Sequence, residues 1–258
     1  MFLRIASALV LPLALLPAAL GAETSSWPSY GNDPGGSRYA PFDQITPANV
    51  ASLEVAWVMN HGDVAKGPGF RSTSAFEATP ILVDGALFTC TPFNRVLALD
   101  PASGEERWSY DPKIDTGANW ANQLTCRGVE TWLDPERATG DVCRRRIFTN
   151  TLDARLIALD AATGKPCPDF GEGGQVDLNP GVGEQKWRGE YSLTSPPTIA
   201  RGLVFTGSAV SDNARVDAPS GVVRAWDVRT GALRWAWDLA PPDATGLTRA
   251  EGTGYVLS

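Results

Sequence analysis

Val96-Leu-Ala-Leu-Asp100-Pro-Ala-Ser-Gly104-Glu-Glu-Arg-Trp108 is the stretch on which the fold turns. A short apolar run ends in Asp-x-x-Ser-Gly, and an aromatic follows four residues after the glycine. Such a segment is a hairpin: the aspartate side chain can bond backbone amides two residues on, and glycine takes the positive φ that the turn demands. The pattern returns as Leu156-Ile-Ala-Leu-Asp160-Ala-Ala-Thr-Gly164 and as Val223-Arg-Ala-Trp-Asp227-Val-Arg-Thr-Gly231-Ala-Leu-Arg-Trp235. The aspartates are 60 and 67 residues apart, a period that marks a repeat architecture. Trp108 and Trp235 are expected to lie flat between neighbouring sheets. The second unit has Pro168 at that place, and Phe170 is expected to substitute.

Upstream of each hairpin lies another strand-like run, at Thr79 to Thr89, Arg146 to Asn150 and Pro197 to Gly207. Four strands per repeat make a propeller blade. No helical period stands out beyond the N-terminal segment, and 26 glycines with 20 prolines suit a turn-dense all-β chain. A β-sandwich is the competing architecture, but it does not account for the repeated Asp-x-x-[Ser/Thr]-Gly-x3-Trp.

The N-terminus sets the compartment. Arg4 precedes an apolar run from Ile5 to Leu20, broken by Pro12 and Pro17 and closed by Gly21-Ala22. This reads as a signal peptide over 1–22, cleaved near Gly21 or Ala22, leaving 23–258 as the mature part in the periplasm. No later segment is apolar enough to span a bilayer, and peripheral association with a membrane stays open.

A net charge of −7 argues against nucleic acid as partner. The single basic cluster, Arg144-Arg145-Arg146, is read as an exposed strand start. The four cysteines form no CxxC pair, which removes thioredoxin-like chemistry, zinc ribbons and covalent haem. In an oxidising compartment they can pair: Cys126 and Cys143 bracket one loop and are the first choice, with Cys90 and Cys167 as buried small hydrophobes. One histidine, His61, is read as a solvated turn residue, and imidazole-dependent hydrolases lose their base. GxGxxG, GxxxxGK[ST] and GxSxG signatures are absent.

The hairpins resemble the tryptophan-docking repeats of the pyrroloquinoline quinone (PQQ) dehydrogenases, an eight-bladed propeller family, and are closest to its glucose, quinate and shikimate branch. The resemblance runs from Trp27 to Pro241. Its matching stretches include Gly31 to Pro41, Ile45-Thr-Pro-Ala-Asn-Val, Ala56-Trp57, Gly62-Asp63, Glu77-Ala-Thr-Pro, Thr125-Cys-Arg-Gly-Val, Thr194-Ser-Pro-Pro and Gly207-Ser-Ala-Val-Ser-Asp-Asn213. It implies oxidation of a sugar or polyol, with electrons passed to ubiquinone or another acceptor.

By that resemblance, Arg127 binds the anionic cofactor, where a guanidinium fork suits carboxylates. Glu77 contacts the cofactor, or else caps a strand start. Thr194 and Ser195 supply hydroxyl donors. Asp212 and Asn213 resemble the metal ligands, and their oxygens suit Ca²⁺ or Mg²⁺, although Asp-Asn alone is an ordinary turn. In the family an aspartate removes the hydroxyl proton while hydride passes to the quinone. That aspartate is expected beyond Ser258, so no catalytic residue is assigned here.

The chain departs from the family in three ways. It lacks the adjacent cysteine pair of the methanol branch, carries Gln123 where glucose-type members often have histidine, and has a signal peptide in place of a multi-helix anchor. A closed ring needs on the order of 500 residues, so three blades and part of another are expected, as an incomplete and inactive portion. The rivals are a non-catalytic periplasmic propeller scaffold and an alcohol or quinate enzyme. A scaffold has no need of Glu77, Arg127 and Asp212-Asn213.

Overall fold

Asp100 shows why the repeats become hairpins. Its Oδ1 accepts the N–H groups of Ala102 at 2.9 Å and Ser103 at 3.0 Å, and its carbonyl accepts Gly104 N–H at 2.8 Å, where φ is +73°. Asp160 does the same for Thr163 and Gly164, and Asp227 for Thr230 and Gly231. Each turn therefore satisfies its own amides and reverses the chain where the apolar strand ends. Arg107 also donates to Asp100 at 2.8 Å, and with the turn amides it holds this carboxyl at about 2. Asp227 is likewise held at about 2: burial opposes ionisation, but Thr230 N–H, Arg234 and Arg229 N–H outweigh it.

The computed structural model describes residues 26–238 except 34, 122, 212, 213 and 216, with the backbone of 248–250 and 254–256. Blade one is the antiparallel meander of β1 (Ile81–Val83), β2 (Ala86–Cys90), β3 (Val96–Leu99) and β4 (Glu106–Tyr110). Blade two repeats it with β5 (Glu130–Leu133), β6 (Arg145–Asn150), β7 (Arg155–Asp160) and β8 (Gln175–Asp177). A short strand, β9 (Tyr191–Ser192), leads to blade three. That blade comprises β10 (Thr198–Ala200), β11 (Leu203–Thr206), β13 (Val223–Asp227) and β14 (Leu233–Trp237), while β12 (Ala209–Val210) pairs back on β9. On its outer edge follow β16 (Gly254–Val256) and β15 (Thr248–Ala250). The only helix among the described residues is a 3-10 turn, Val50–Ser52. The first strand of blade two, β5, Glu130-Thr-Trp-Leu, carried no repeat signal in the sequence.

Tryptophan docks blade on blade. A Cβ on Gly164 would lie 2.5 Å from Trp108 Cε3, and one on Gly104 would lie 2.5 Å from Trp57 Cε3. The indole N–H groups donate to Ala161 O at 3.0 Å and Pro101 O at 3.1 Å. The glycine is required twice over, for its positive φ and for the ring that lies on it. Phe170 does not take this role in the second unit. It is fully buried, edge-on to Phe148, and Gly231 meets Val176 and Gly171 in place of an indole. The chain bulges through 167–174 before β8 resumes the ladder, so the aromatic is drawn inward, and Gly171 N–H donates to Thr230 O at 2.8 Å.

The middle strands of the sheets, such as β2, β3 and β7, are buried on both faces because blades cover them from both sides. Ile147, Ile157 and Leu159 pack with Phe88 and Val96 between blades one and two. Phe148, Phe170 and Leu156 pack with Val204 and Trp226 between two and three. A fully buried Phe148 contributes about 2–3 kcal/mol.

Three further sequence expectations are corrected. The disulfides are Cys90–Cys126 and Cys143–Cys167, not Cys126 to Cys143. The β5–β6 hairpin pairs Glu130 with Phe148 and Leu133 with Arg145, so Cys126 and Cys143 lie at opposite ends of it despite their nearness in sequence. Arg146 is not exposed. It is wholly buried, donating to Cys143 O, Arg229 O and Asp169, with its guanidinium over the Trp132 ring. His61 is half-buried: it stacks on Phe76 at 5.1 Å, and its Nδ1 accepts Asp63 N–H.

Candidate cofactor site

Before its inner strand, each blade sends an extended segment to the same end of the arc, and these segments run side by side. Leu124 N–H donates to Thr73 O at 2.7 Å and Ala75 N–H to Leu124 O at 3.0 Å. Further along, Thr79 N–H donates to Arg127 O and Arg127 N–H to Thr194 O, both at 3.0 Å. Extended backbone alternates its side chains. Leu124 and Cys126 are therefore buried in the core, while Gln123, Thr125 and Arg127 all reach one carboxylate on blade one.

That carboxylate is Glu77. Its Oε1 accepts Gln123 Nε2 at 2.8 Å, and its Oε2 accepts Thr125 Oγ1 at 3.3 Å and pairs with Arg127 Nη2 at 3.1 Å. Arg127 Nη1 donates to Thr194 Oγ1 on blade three. One guanidinium thus spans three blades. Its side chain remains 39 % exposed, and two of its five N–H donors are engaged by these side chains. Thr194 accepts from Arg127, which leaves its own O–H free to donate outward. Ser195 is exposed beside it.

Two buried asparagines that the sequence did not point to hold the rim segments in place. Asn94, fully buried with φ +61°, donates to Thr125 O at 3.1 Å and accepts Leu152 N–H at 2.7 Å, pinning the inner segment of blade two to blade one. Asn150, the last residue of β6, donates to Ser195 O at 3.1 Å. Its Oδ1 is buried and finds no partner among the described residues, beside a pocket of about 130 Å³ lined by Thr194, Ser195, Gly207 and Ser208. Their one signal in sequence was a polar residue closing an apolar strand or turn.

Glu77, Arg127 and Thr194, the positions singled out by the family resemblance, therefore lie together, with Ser195 adjoining. Asp212 and Asn213 lie outside the described residues. The chain on either side of them is anchored: Ser211 N–H donates to Glu190 O at 2.8 Å, and Arg215 pairs with the buried Glu190 at 2.6 Å. Three residues beyond Arg127, Glu130 starts β5 at the wall of a second cleft of about 650 Å³, shared with Tyr30, Trp132 and Pro197. Among the described residues its carboxylate accepts only the N–H of Thr131, and burial pushes it up to about 7.

The glucose/ethanol/alcohol dehydrogenase β-propeller domain, a PQQ domain, matches residues 27–256. The chain belongs to this family. It is 37% identical over 250 residues to quinoprotein glucose dehydrogenase A of Acinetobacter calcoaceticus, covering 93% of this chain and 31% of that protein. To the quinate/shikimate dehydrogenase (quinone) of Acinetobacter baylyi it is 39% identical over 247 residues, 90% of this chain and 30% of the relative. The crystal structure of quinohemoprotein alcohol dehydrogenase from Comamonas testosteroni superposes with a TM-score of 0.65 at 30% identity, covering 92% of this chain and 29% of that one. The PQQ propeller portion described here thus spans about 30% of the length of these relatives, and its three blades form an open arc.

Proposed function

We propose that this chain supplies one wall of the cofactor site of a PQQ-dependent dehydrogenase that oxidises a sugar or polyol hydroxyl. The observation that carries this reading is the Arg127 guanidinium, held at the mouth by Glu77 from blade one and Thr194 from blade three with donors left over. The residues fit the group. PQQ bears three carboxylates, and the rim offers the spare Arg127 N–H donors with the hydroxyls of Thr194 and Ser195. When bound, the orthoquinone serves as acceptor for the hydride of the alcohol carbon.

The chain's own part is to bind and orient. Glu77 fixes the guanidinium plane and has one lone-pair position left for a ring N–H. Arg127 supplies charge, and Thr194 and Ser195 supply directional donors. Asp212 and Asn213 are our proposed ligands for Ca²⁺ or Mg²⁺, on the strength of their carboxylate and amide oxygens. No residue described here is assigned as the general base.

A periplasmic location follows the signal-peptide reading and suits a chain whose four cysteines are all bridged. Electrons then pass to a quinone such as ubiquinone, as the name of the Acinetobacter baylyi relative suggests for that protein. Such an acceptor would bring the protein to the membrane surface. Among the described residues no helix is long and apolar enough to cross a membrane.

The test is tryptophan-fluorescence titration with PQQ in the presence of Ca²⁺. Arg127→Ala should weaken binding roughly 10- to 100-fold, the scale of a lost charge-assisted hydrogen bond. If Arg127→Ala binds as the wild type does, or the wild type does not bind at all, the reading is wrong.

A further inference from the structure

The segment that carries Thr125 and Arg127 is held through its backbone at Leu124 and Arg127, which bond Thr73, Ala75, Thr79 and Thr194, and at the Thr125 carbonyl, which accepts from Asn94. Its bridges to blade one lie at its two ends, Ser74 with Leu124 and Thr79 with Gly128. Between them sits Cys126, 4% exposed, bonded to Cys90, the fully buried last residue of β2. The bond spans 36 residues of sequence and ties the inner segment of blade two to the sheet of blade one.

We propose that the Cys90–Cys126 disulfide is a positioning element for Arg127, setting the conformation in which the rim grips an anionic ligand. The inference rests on the PQQ reading above. In extended backbone, fixing residue 126 inward fixes residues 125 and 127 outward. The covalent tie thereby aims the Thr125 hydroxyl and the Arg127 guanidinium at Glu77. Asn94 holds the Thr125 carbonyl from beneath, so the segment is restrained at neighbouring residues by a side-chain amide and a sulfur bridge. A segment ordered beforehand loses less entropy when the ligand arrives. The second bridge, Cys143–Cys167, lies at the far end of the β5–β6 hairpin, where Cys143 N–H meets Asp160 and its carbonyl meets Arg146, so it provides an internal control.

The experiment measures the dissociation constant of PQQ by fluorescence titration of the full chain, well below the melting temperature of every variant. Cys90→Ala/Cys126→Ala should bind about tenfold more weakly, the penalty expected for ordering a few residues on binding, while Cys143→Ala/Cys167→Ala should bind like the wild type. A double-mutant cycle separates positioning from general stability: in the variant lacking the Cys90–Cys126 bridge, Arg127→Ala should cost clearly less than it does in the bridged protein. If the alanine pair fails to fold, Cys143→Ala/Cys167→Ala protein is reduced with a water-soluble phosphine and titrated in the same way, the free thiols being counted by mass after alkylation. Failure of the wild type to bind PQQ would sink the parent reading. Wild-type binding with no loss on removing the bridge, or with strictly additive losses in the cycle, would overturn the positioning role alone.

Discussion

Replacing Glu130 with glutamine should stabilise the fold at alkaline pH and change little in mild acid. The side chain is only 8% exposed, receives one hydrogen bond, and titrates near 7 because burial penalises its charged form. The other charged groups lining its cleft are Asp33, Arg145 and Arg201, and Arg145 is already paired with Asp84 at 2.9 Å. A carboxyl whose folded value lies above its unfolded value of 4.5 favours the native state while protonated. That contribution is complete below 4.5 and is lost as pH rises through about 7. At ~1.4 kcal/mol per tenfold, the gap amounts to about 3 kcal/mol at most, and partial hydration of the cleft brings the expected effect to about 1–3 kcal/mol. Urea denaturation of wild type and Glu130→Gln at pH 5 and pH 8 reads it directly: the advantage of the variant should grow by that amount between the two. A difference that stays constant across the range would refute the reasoning, because it would show that Glu130 binds its proton equally well folded and unfolded, so that burial does not raise it.

Gly164→Ala should cost about 2–4 kcal/mol in thermal or urea denaturation, since a Cβ there meets the Trp108 ring at 2.5 Å and φ is +70°. Gly202→Ala, with similar φ and open space around it, should cost only about 1 kcal/mol; equal losses would remove the docking argument. Asp100 and Asp227, both held at about 2, favour the native state while ionised. Their contribution is present above the ordinary carboxylate range and lost as pH falls from about 4 to 2. Asp227→Asn should accordingly flatten the acid limb of a stability profile followed by circular dichroism, and an unchanged limb would contradict this.

The fold was legible because each hairpin advertises itself in five adjacent residues, and local turn chemistry needs no partner elsewhere. The rim was legible only through the family resemblance, which singled out Glu77, Arg127 and Thr194; the structure adds that each precedes the first strand of its blade, at one end of the arc. What stayed hidden depended on pairing between distant parts. Cys126 is close to Cys143 in sequence, but the β5–β6 hairpin separates them, and the partners come from β2 and from the bulge after Gly164. Arg146 looked like surface because charge usually is, and only the carbonyls of Cys143 and Arg229 with Asp169 make its burial tolerable. Asn94 and Asn150 act through backbone carbonyls, whose positions no residue letter records.

The direction of docking has a consequence for how the arc assembles. Trp57 rests on a turn 44 residues later, and Trp108 on one 53 residues later. A chain emerging from its N-terminus therefore exposes Trp57 until the Asp100 turn covers it, and then Trp108 until the Asp160 turn does. Over these two steps growth is a relay, in which each new turn seats the indole left bare before it.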